Sequence, residues 1–167
     1  MDKTAVKVVI ETPRGSTEKY DYDKKSGYFL LKKILPAGMV FPYDFGFIPG
    51  TRGEDGDPLD IMVLSEFRSF PGCMMECRLL GAIIAEQGKE KQKKVRNDRY
   101  LAVPICSGAF QYLHDIDQLP PEMIVQLEDF FINYNKAEGK VFQPHGLMNA
   151  DGAFKEIKAN SSRQKGK

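Results

Sequence analysis

At least six apolar segments of strand length precede any convincing helix in this chain of 167 residues. "VKVVIET" is β-branched, and "KYDYDKKSGYFLLKKIL" alternates around a Ser26-Gly27 turn, the pattern of a strand followed by a hairpin. Gly and Pro punctuate the stretch from Leu35 to Gly53, and "DIMVLSE", "CMMECRLLGAIIAEQ" and "RYLAVPI" follow as three more strands. Helical spacing sets in only at "PPEMIVQLEDFFINYNKAEG". There Pro121 suits a first turn, Ile124, Leu127, Phe131 and Tyr134 recur on one face, and Gly139 can end the helix. A second, short helix is expected around Ala153, Phe154 and Ile157, with a frayed tail from about residue 159. Strands first and helices last predict a mainly β, α+β fold: a closed or partly closed barrel flanked by helices, with loops converging at one rim. The length suits one domain, and no linker or repeat divides residues 1–167.

Lys and Arg number 24 against 23 Asp and Glu, so the chain has no overall field for holding nucleic acid or an anionic membrane. Any anion must be captured locally. "GKEKQKKVRNDR" is the one strongly basic run, and its place between strands predicts an exposed hairpin loop with solvated lysines. No apolar run approaches the ~20 residues that span a bilayer, and the N-terminus lacks the apolar segment of a signal peptide. The expected location is the cytoplasm. Cys73, Cys77 and Cys106 are odd in number and lie in mostly apolar, strand-like contexts, so free thiols are expected. With His114 and His145 the only histidines, a nitrogen-and-sulfur metal site is disfavoured, and any bound metal should have oxygen ligands.

Such oxygens are concentrated in "EDGDPLDIMVL", residues 54 to 64, where Asp55, Asp57 and Asp60 stand ahead of an apolar run. In an extended path Asp55 and Asp57 share a side, and Pro58 bends the chain so that Asp60 can return toward them. Three carboxylates around one volume suit a hard cation shared with a phosphate. The plainer reading is an aspartate-rich turn in which Gly56 supplies an unusual backbone angle. It is not a calcium-binding EF-hand loop, because Leu59 stands where that loop needs an oxygen ligand.

The full spacing "DGDPLD", preceded by "VVIETP", "KYDYDKKSG" and "FPYDFGFIPGT" and followed by "PGCMMECRLLG", "LAVP" and "LPPEMIVQLEDFFINY", resembles the soluble family of inorganic pyrophosphatases. The resemblance covers most of the chain. It implies a five-stranded OB-like barrel with one long and one short C-terminal helix. The implied reaction is hydrolysis of pyrophosphate to two phosphates with several magnesium ions (Mg2+). That chemistry needs a metal-activated water and cations that neutralise the electrophile and leaving group. By position, the resemblance implies that Asp55 and Asp60 hold the tightest metals, that Asp57 orients or deprotonates the attacking water, and that Glu11 belongs to an outer metal site. Lys19 and Tyr134 match phosphate-binding residues, although periodicity alone would make Tyr134 a packing residue.

Several positions depart from the family pattern. Asp21 stands where a glutamate is usual, Lys33 where many members have an arginine, and Phe45 where a tyrosine is common, so Phe45 is read as packing. "KVRNDRYLAVP" lies where the family places two further metal-binding aspartates and a lysine two residues after the second. Counting back from "LAVP", Arg99 takes the lysine's place and Asn97 the aspartate's, leaving Asp98 one residue out of register. Because a carboxylate binds magnesium better than an amide, Asp98 is taken as the ligand, which needs a bulge to bring it round. Glu86 is the nearest acid for the other aspartate. Asn135 replaces a lysine, leaving Lys136 or Lys140 to substitute.

The substrate-binding set is thus Lys19, Lys33, Arg99 and Tyr134, with pyrophosphate and phosphate as the only expected ligands besides metal. The alternatives are a barrel that binds phosphate compounds or nucleic acid without catalysis, and a hydrolase of a larger phosphoanhydride. The family commonly forms oligomers, hexamers in bacteria and dimers in eukaryotes, and this compact length favours the hexamer.

Overall fold

The computed structural model describes residues 4–164. Nine strands and two helices follow in the order β1 (Ala5–Thr12), β2 (Glu18–Asp23), β3 (Tyr28–Ile34), β4 (Asp44–Ile48), β5 (Leu59–Val63), β6 (Met74–Lys89), β7 (Val95–Arg96), β8 (Arg99–Pro104), α1 (Pro121–Lys136), β9 (Lys140–Asn149) and α2 (Ala150–Gln164). A short 3₁₀ turn, Ile116–Gln118, precedes α1. Strands β1, β4, β5, β8 and β6 pair in that order, and β1 pairs back onto β6 to close a ring of five. Only β5 and β8 run parallel. β2 and β3 form a separate hairpin.

All five strands of the ring contribute to one apolar cluster. It contains Val8 and Ile10 of β1, Ile48 of β4, Ile61 and Val63 of β5, Leu79 of β6 and Tyr100 of β8, with Ala153 and Ile157 of α2. Alternate residues of β4, β5, β6 and β8 face a second cluster built with α1. Phe45, Met62, Leu64, Ile83, Leu101 and Val103 meet Ile124, Leu127 and Phe131 there. Each such buried side chain contributes about 1.5–3 kcal/mol, and strand alternation deals them to the two clusters. A polar side chain at a strand end is thereby aimed at one cluster's rim or the other.

The expected hairpin turn at Ser26-Gly27 is present, with Gly27 at φ 76°. Only residues 90–94 of the basic run form the β6–β7 connection, its last residues Asp98 and Arg99 being buried, and Phe45 packs in the core. Two expectations need correction. The chain does not fray from about 159: α2 continues to Gln164, and Asn160 is buried with its Nδ2 donating to the Glu156 carbonyl at 2.8 Å. At 15 residues α2 is therefore nearly as long as the 16 of α1, and not short. A ten-residue strand, β9, also forms from "KVFQPHGLMN", for which the sequence offered no strand signal. Pro144 and Gly146 mask its strand character, and Pro144 is tolerated because it pairs with Ala85 at a register shift. No helix among the described residues is long and apolar enough to cross a membrane.

Ring closure depends on the close approach of β4 to β1. A Cβ on Gly46 would lie 1.9 Å from the Val9 carbonyl oxygen, which is backbone and cannot swing aside. Gly46 is in register with Ile10 on one side and Ile61 on the other, next to Glu11 and Asp60. Gly46→Ala is therefore expected to destabilise the fold by about 3 kcal/mol or more, at or above the top of the usual overpacking range. Urea unfolding measures this; a midpoint equal to that of the parent chain would contradict the packing described.

Candidate active site

The acidic segment folds as the aspartate-rich turn. Gly53 N–H donates to the Asp57 carbonyl at 2.8 Å, Gly56 takes φ 91°, and the Asp57 N–H donates to Asp55 Oδ1 at 3.0 Å. The ends are tied by Thr51, whose Oγ1 donates to the Ile48 carbonyl and accepts from the Leu59 N–H. Asp55 and Asp57 are exposed on this turn rather than strung along an extended strand. Asp60 is already in β5, opposite Phe47, and is anchored by the fully buried Ile61 and Val63.

Parallel pairing of Ile61 with Tyr100 sets Asp60 beside Arg99. Arg99 Nη1 lies 2.9 Å from Asp60 Oδ2 and donates to Asn97 Oδ1 at 2.5 Å, while Nη2 donates to Gln87 Oε1 at 2.6 Å. Its guanidinium carbon sits 5.1 Å from the ring centres of both Phe131 and Phe142. Asn97 Nδ2 in turn donates to Asp55 Oδ2 at 3.2 Å, linking the acidic turn to this wall.

The opposite wall comes from β1, β2 and β3. Glu11, buried at the end of β1, accepts the Tyr22 N–H at 2.7 Å. Lys19 is buried, its ammonium hydrogen-bonded to Asp21 and to the Tyr20 carbonyl and lying 5.4 Å from the centre of Phe45. Lys33, in register with Lys19, pairs with Glu138 and sits 4.0 Å from the centre of the Tyr134 ring. Tyr134 packs edge-on to Phe41 and stacks on Phe130. The ring of Tyr134 thus packs, and it also lies against Lys33.

The negative charge here exceeds what the chain's own cations compensate. Burial raises Glu11 to about 7, opposed by Lys19 and the Tyr22 N–H. Burial also raises Asp60 against the pull of Arg99, and raises Asp55, with Asp57 adding repulsion to both. Burial pushes the Tyr134 hydroxyl well above its ordinary value, so it stays protonated and can donate. Carboxylates held above their ordinary proton affinity favour an added cation, and the oxygens of Asp55, Asp57 and Asp60 are of the kind magnesium takes. In the arrangement described, no three acidic, histidine or cysteine side chains among the described residues stand as a ready metal cluster.

Other candidates lie elsewhere. Asp98 does not turn into this site. No bulge brings it round, and its carboxylate accepts from the Ala85 N–H at 3.1 Å and from Arg96 Nε and Nη2 at 3.0 and 2.8 Å. It is Asn97, two residues before Arg99 and on the same side, that faces Asp55. Glu86 also points away, 3.3 Å from His145 Nε2 on β9. The neighbour in the site is Gln87, which a search for acids passes over. Alternation from Ile83 and Ala85, both in the α1-side cluster, was the signal that marks it. Asn135 is buried, with its Nδ2 donating to the Phe131 carbonyl, and Lys136 is exposed at the end of α1. Lys140 lies 3.7 Å from Glu138, which thus gathers Lys33 and Lys140 together.

The raised Glu11 has a consequence for stability. Between pH 4.5 and about 7 the folded chain holds a proton that the unfolded chain has released, so stability falls as pH rises through that window. Above it the penalty is complete and on the order of 3 kcal/mol. In metal-free buffer, Glu11→Gln should be more stable than the parent at pH 8 and level with it near pH 4. Urea midpoints at the two pH values decide this, and a variant less stable at pH 8 would contradict it.

Comparison with known proteins agrees with this architecture. A family model of inorganic pyrophosphatases matches residues 8–165. The inorganic pyrophosphatase of Thermus thermophilus is 36% identical over 164 residues, 96% of this chain and 91% of that protein. That of Halalkalibacterium halodurans is 32% identical over 166 residues, 99% of each. The crystal structure of the Thermus thermophilus enzyme matches with a TM-score of 0.89 at 34% identity, covering 98% of this chain and 93% of that one. The Helicobacter pylori inorganic pyrophosphatase structure also matches at 0.89, with 28% identity, covering 99% and 97%. By ring topology, by length and by sequence, the chain belongs to the inorganic pyrophosphatase family of phosphoanhydride hydrolases.

Proposed function

We propose that this chain hydrolyses inorganic pyrophosphate to two orthophosphates with magnesium as cofactor. The observation that carries the reading is the pairing of an acid-rich turn, Asp55, Asp57 and Asp60, with Arg99 across it and Lys19 and Lys33 beside it. Asp55 and Asp60, with Glu11 further out, would hold magnesium, which when bound supplies Lewis acidity and a more acidic water. Asp57, exposed at the turn, takes the water's proton as its oxygen attacks one phosphorus and the bridging P–O bond breaks. The leaving phosphate departs with the bridging oxygen. Arg99, Lys19 and Lys33 meet the charge on the phosphates, and the protonated Tyr134 hydroxyl is a donor toward the leaving group.

Phosphate release from pyrophosphate is expected with magnesium at pH 7–9 and is lost on chelation. Asp57→Asn should lower kcat about 10²–10⁴-fold with the fold intact, the usual range for a positioned acid–base group. Triphosphate and ATP at equal metal are expected to be turned over less well, and manganese and zinc serve as controls. No turnover of pyrophosphate by folded protein would overturn the reading. The carboxamides Gln87 and Asn97 favour, as the second reading, a barrel that binds phosphate without cleaving it; binding without turnover would select it.

The chain is further proposed to act in the cytoplasm, where reducing conditions suit its three unpaired cysteines, and as a homo-oligomer, the hexamer favoured. Exposed Phe70, Met74, Ile34 and Tyr28 supply apolar surface of the kind that subunit contacts cover. Sedimentation should give a mass near six times the 18.9 kDa chain, and Phe70→Asp should lower it. A monomer at micromolar concentration would exclude the oligomer.

A further inference from the structure

The wall of the site formed by β6 and the start of β8 contains no carboxylate. Its polar groups are Gln87, Asn97 and Arg99, because the two acids nearest in sequence, Glu86 and Asp98, are turned out of it toward His145 and Arg96. Arg99 is 4% exposed, lies against the rings of Phe131 and Phe142, and has three side-chain oxygens around its terminal nitrogens, from Asp60, Asn97 and Gln87, besides the backbone carbonyls of Asn97 and Asp98. A guanidinium only donates and stays charged at any pH a protein survives. Both amides must therefore present their oxygens to it, which settles their orientation. Asn97 is then left to donate its Nδ2 to Asp55. Every amide oxygen on this wall is engaged by a cation that cannot leave.

We propose that Arg99 is a resident cation that takes the place of a divalent ion on the β6–β8 wall. The site then loads metal only along the Asp55–Asp57–Asp60 turn and toward Glu11, and a phosphate on the other side meets the guanidinium directly. A dication approaching Gln87 and Asn97 would find neutral oxygens already donated to and a like charge behind them. Magnesium gives up its water reluctantly and enters through carboxylates, which this wall lacks. The Arg99 guanidinium packs against the adjoining rings of Phe131 and Phe142, and its Nε–H, which has no partner among the described residues, is left for a phosphate oxygen. This inference rests on the pyrophosphate-hydrolysing reading above and concerns how that site is charged.

The test counts metal rather than turnover. Bound Mn2+ per chain is measured by equilibrium dialysis for the parent and for the isosteric variant Gln87→Glu with Asn97→Asp, the fold of each checked by circular dichroism. The variant is expected to bind about one more Mn2+ per chain than the parent, because two carboxylates now offset Arg99. Should the double variant unfold, Asn97→Asp alone serves, with the same gain expected. In parallel, Arg99→Met, which keeps an apolar stem against the rings, should weaken binding of imidodiphosphate, a non-cleavable pyrophosphate analogue, about 10–100-fold, the cost of losing charged hydrogen bonds. Equal Mn2+ counts in parent and variant would overturn the inference while leaving the metal-dependent reading intact. No Mn2+ bound by either folded protein would overturn that reading and the inference with it.

Discussion

Sixteen residues of β6 hydrogen-bond to four other strands, and the ring, the site and the seat of α2 all depend on that one strand. Its first half closes the ring against β1 and β8, and its second half pairs with β7 and β9. Gly81 makes the change of direction possible. Its φ is 150°, a Cβ there would lie 2.2 Å from the Met148 carbonyl oxygen, and the β6–β8 register shifts at this point. Beyond the shift, Ile83, Ala85 and Gln87 face the side of α1, so a bend in the strand decides which side chain meets Arg99.

Strand alternation then sorts the charges. Asp60 and Arg99 come from neighbouring parallel strands and fall on the same side, while Asp98, one residue earlier, falls on the other and is taken by Arg96. The result is a site of two unlike walls. One is crowded with carboxylates whose proton affinity is raised by burial and by one another; the other is made of amides around a buried guanidinium. Among the described residues the direct ion pair between the walls, Arg99 with Asp60, offsets part of that negative charge.

Much of this was legible in the chain before any coordinates. The β-branched opening, the Ser26-Gly27 hairpin, the helix beginning at Pro121 and the aspartate turn all carry local signals of turn chemistry and periodicity. β9 was hidden because Pro144 and Gly146 are poor strand residues, and it is held by pairing with β6 rather than by propensity. The length of α2 past 159 was hidden for the same kind of reason: "KANSSRQ" has little apolar content, yet Asn160 is buried against the preceding turn. Asp98 was preferred over Asn97, and Glu86 named as the nearest acid, because an acid is the better metal ligand in isolation. That preference says nothing about which face of a strand a residue occupies.

By itself, then, the sequence determined the inventory: a strand-rich first half, a helix beginning at Pro121, and three aspartates at a spacing that joins the chain to the inorganic pyrophosphatases. Those are properties of short segments, set by backbone preference and by residue chemistry. Only the tertiary structure decided which groups meet across strands. Register, the shift at Gly81 and the parallel pairing of β5 with β8 are long-range choices, and moving any of them by one residue sends every side chain to the opposite face. That is why Asp55, Asp57 and Asp60 could be read from the chain, and why the neutral, arginine-centred wall opposite them could not.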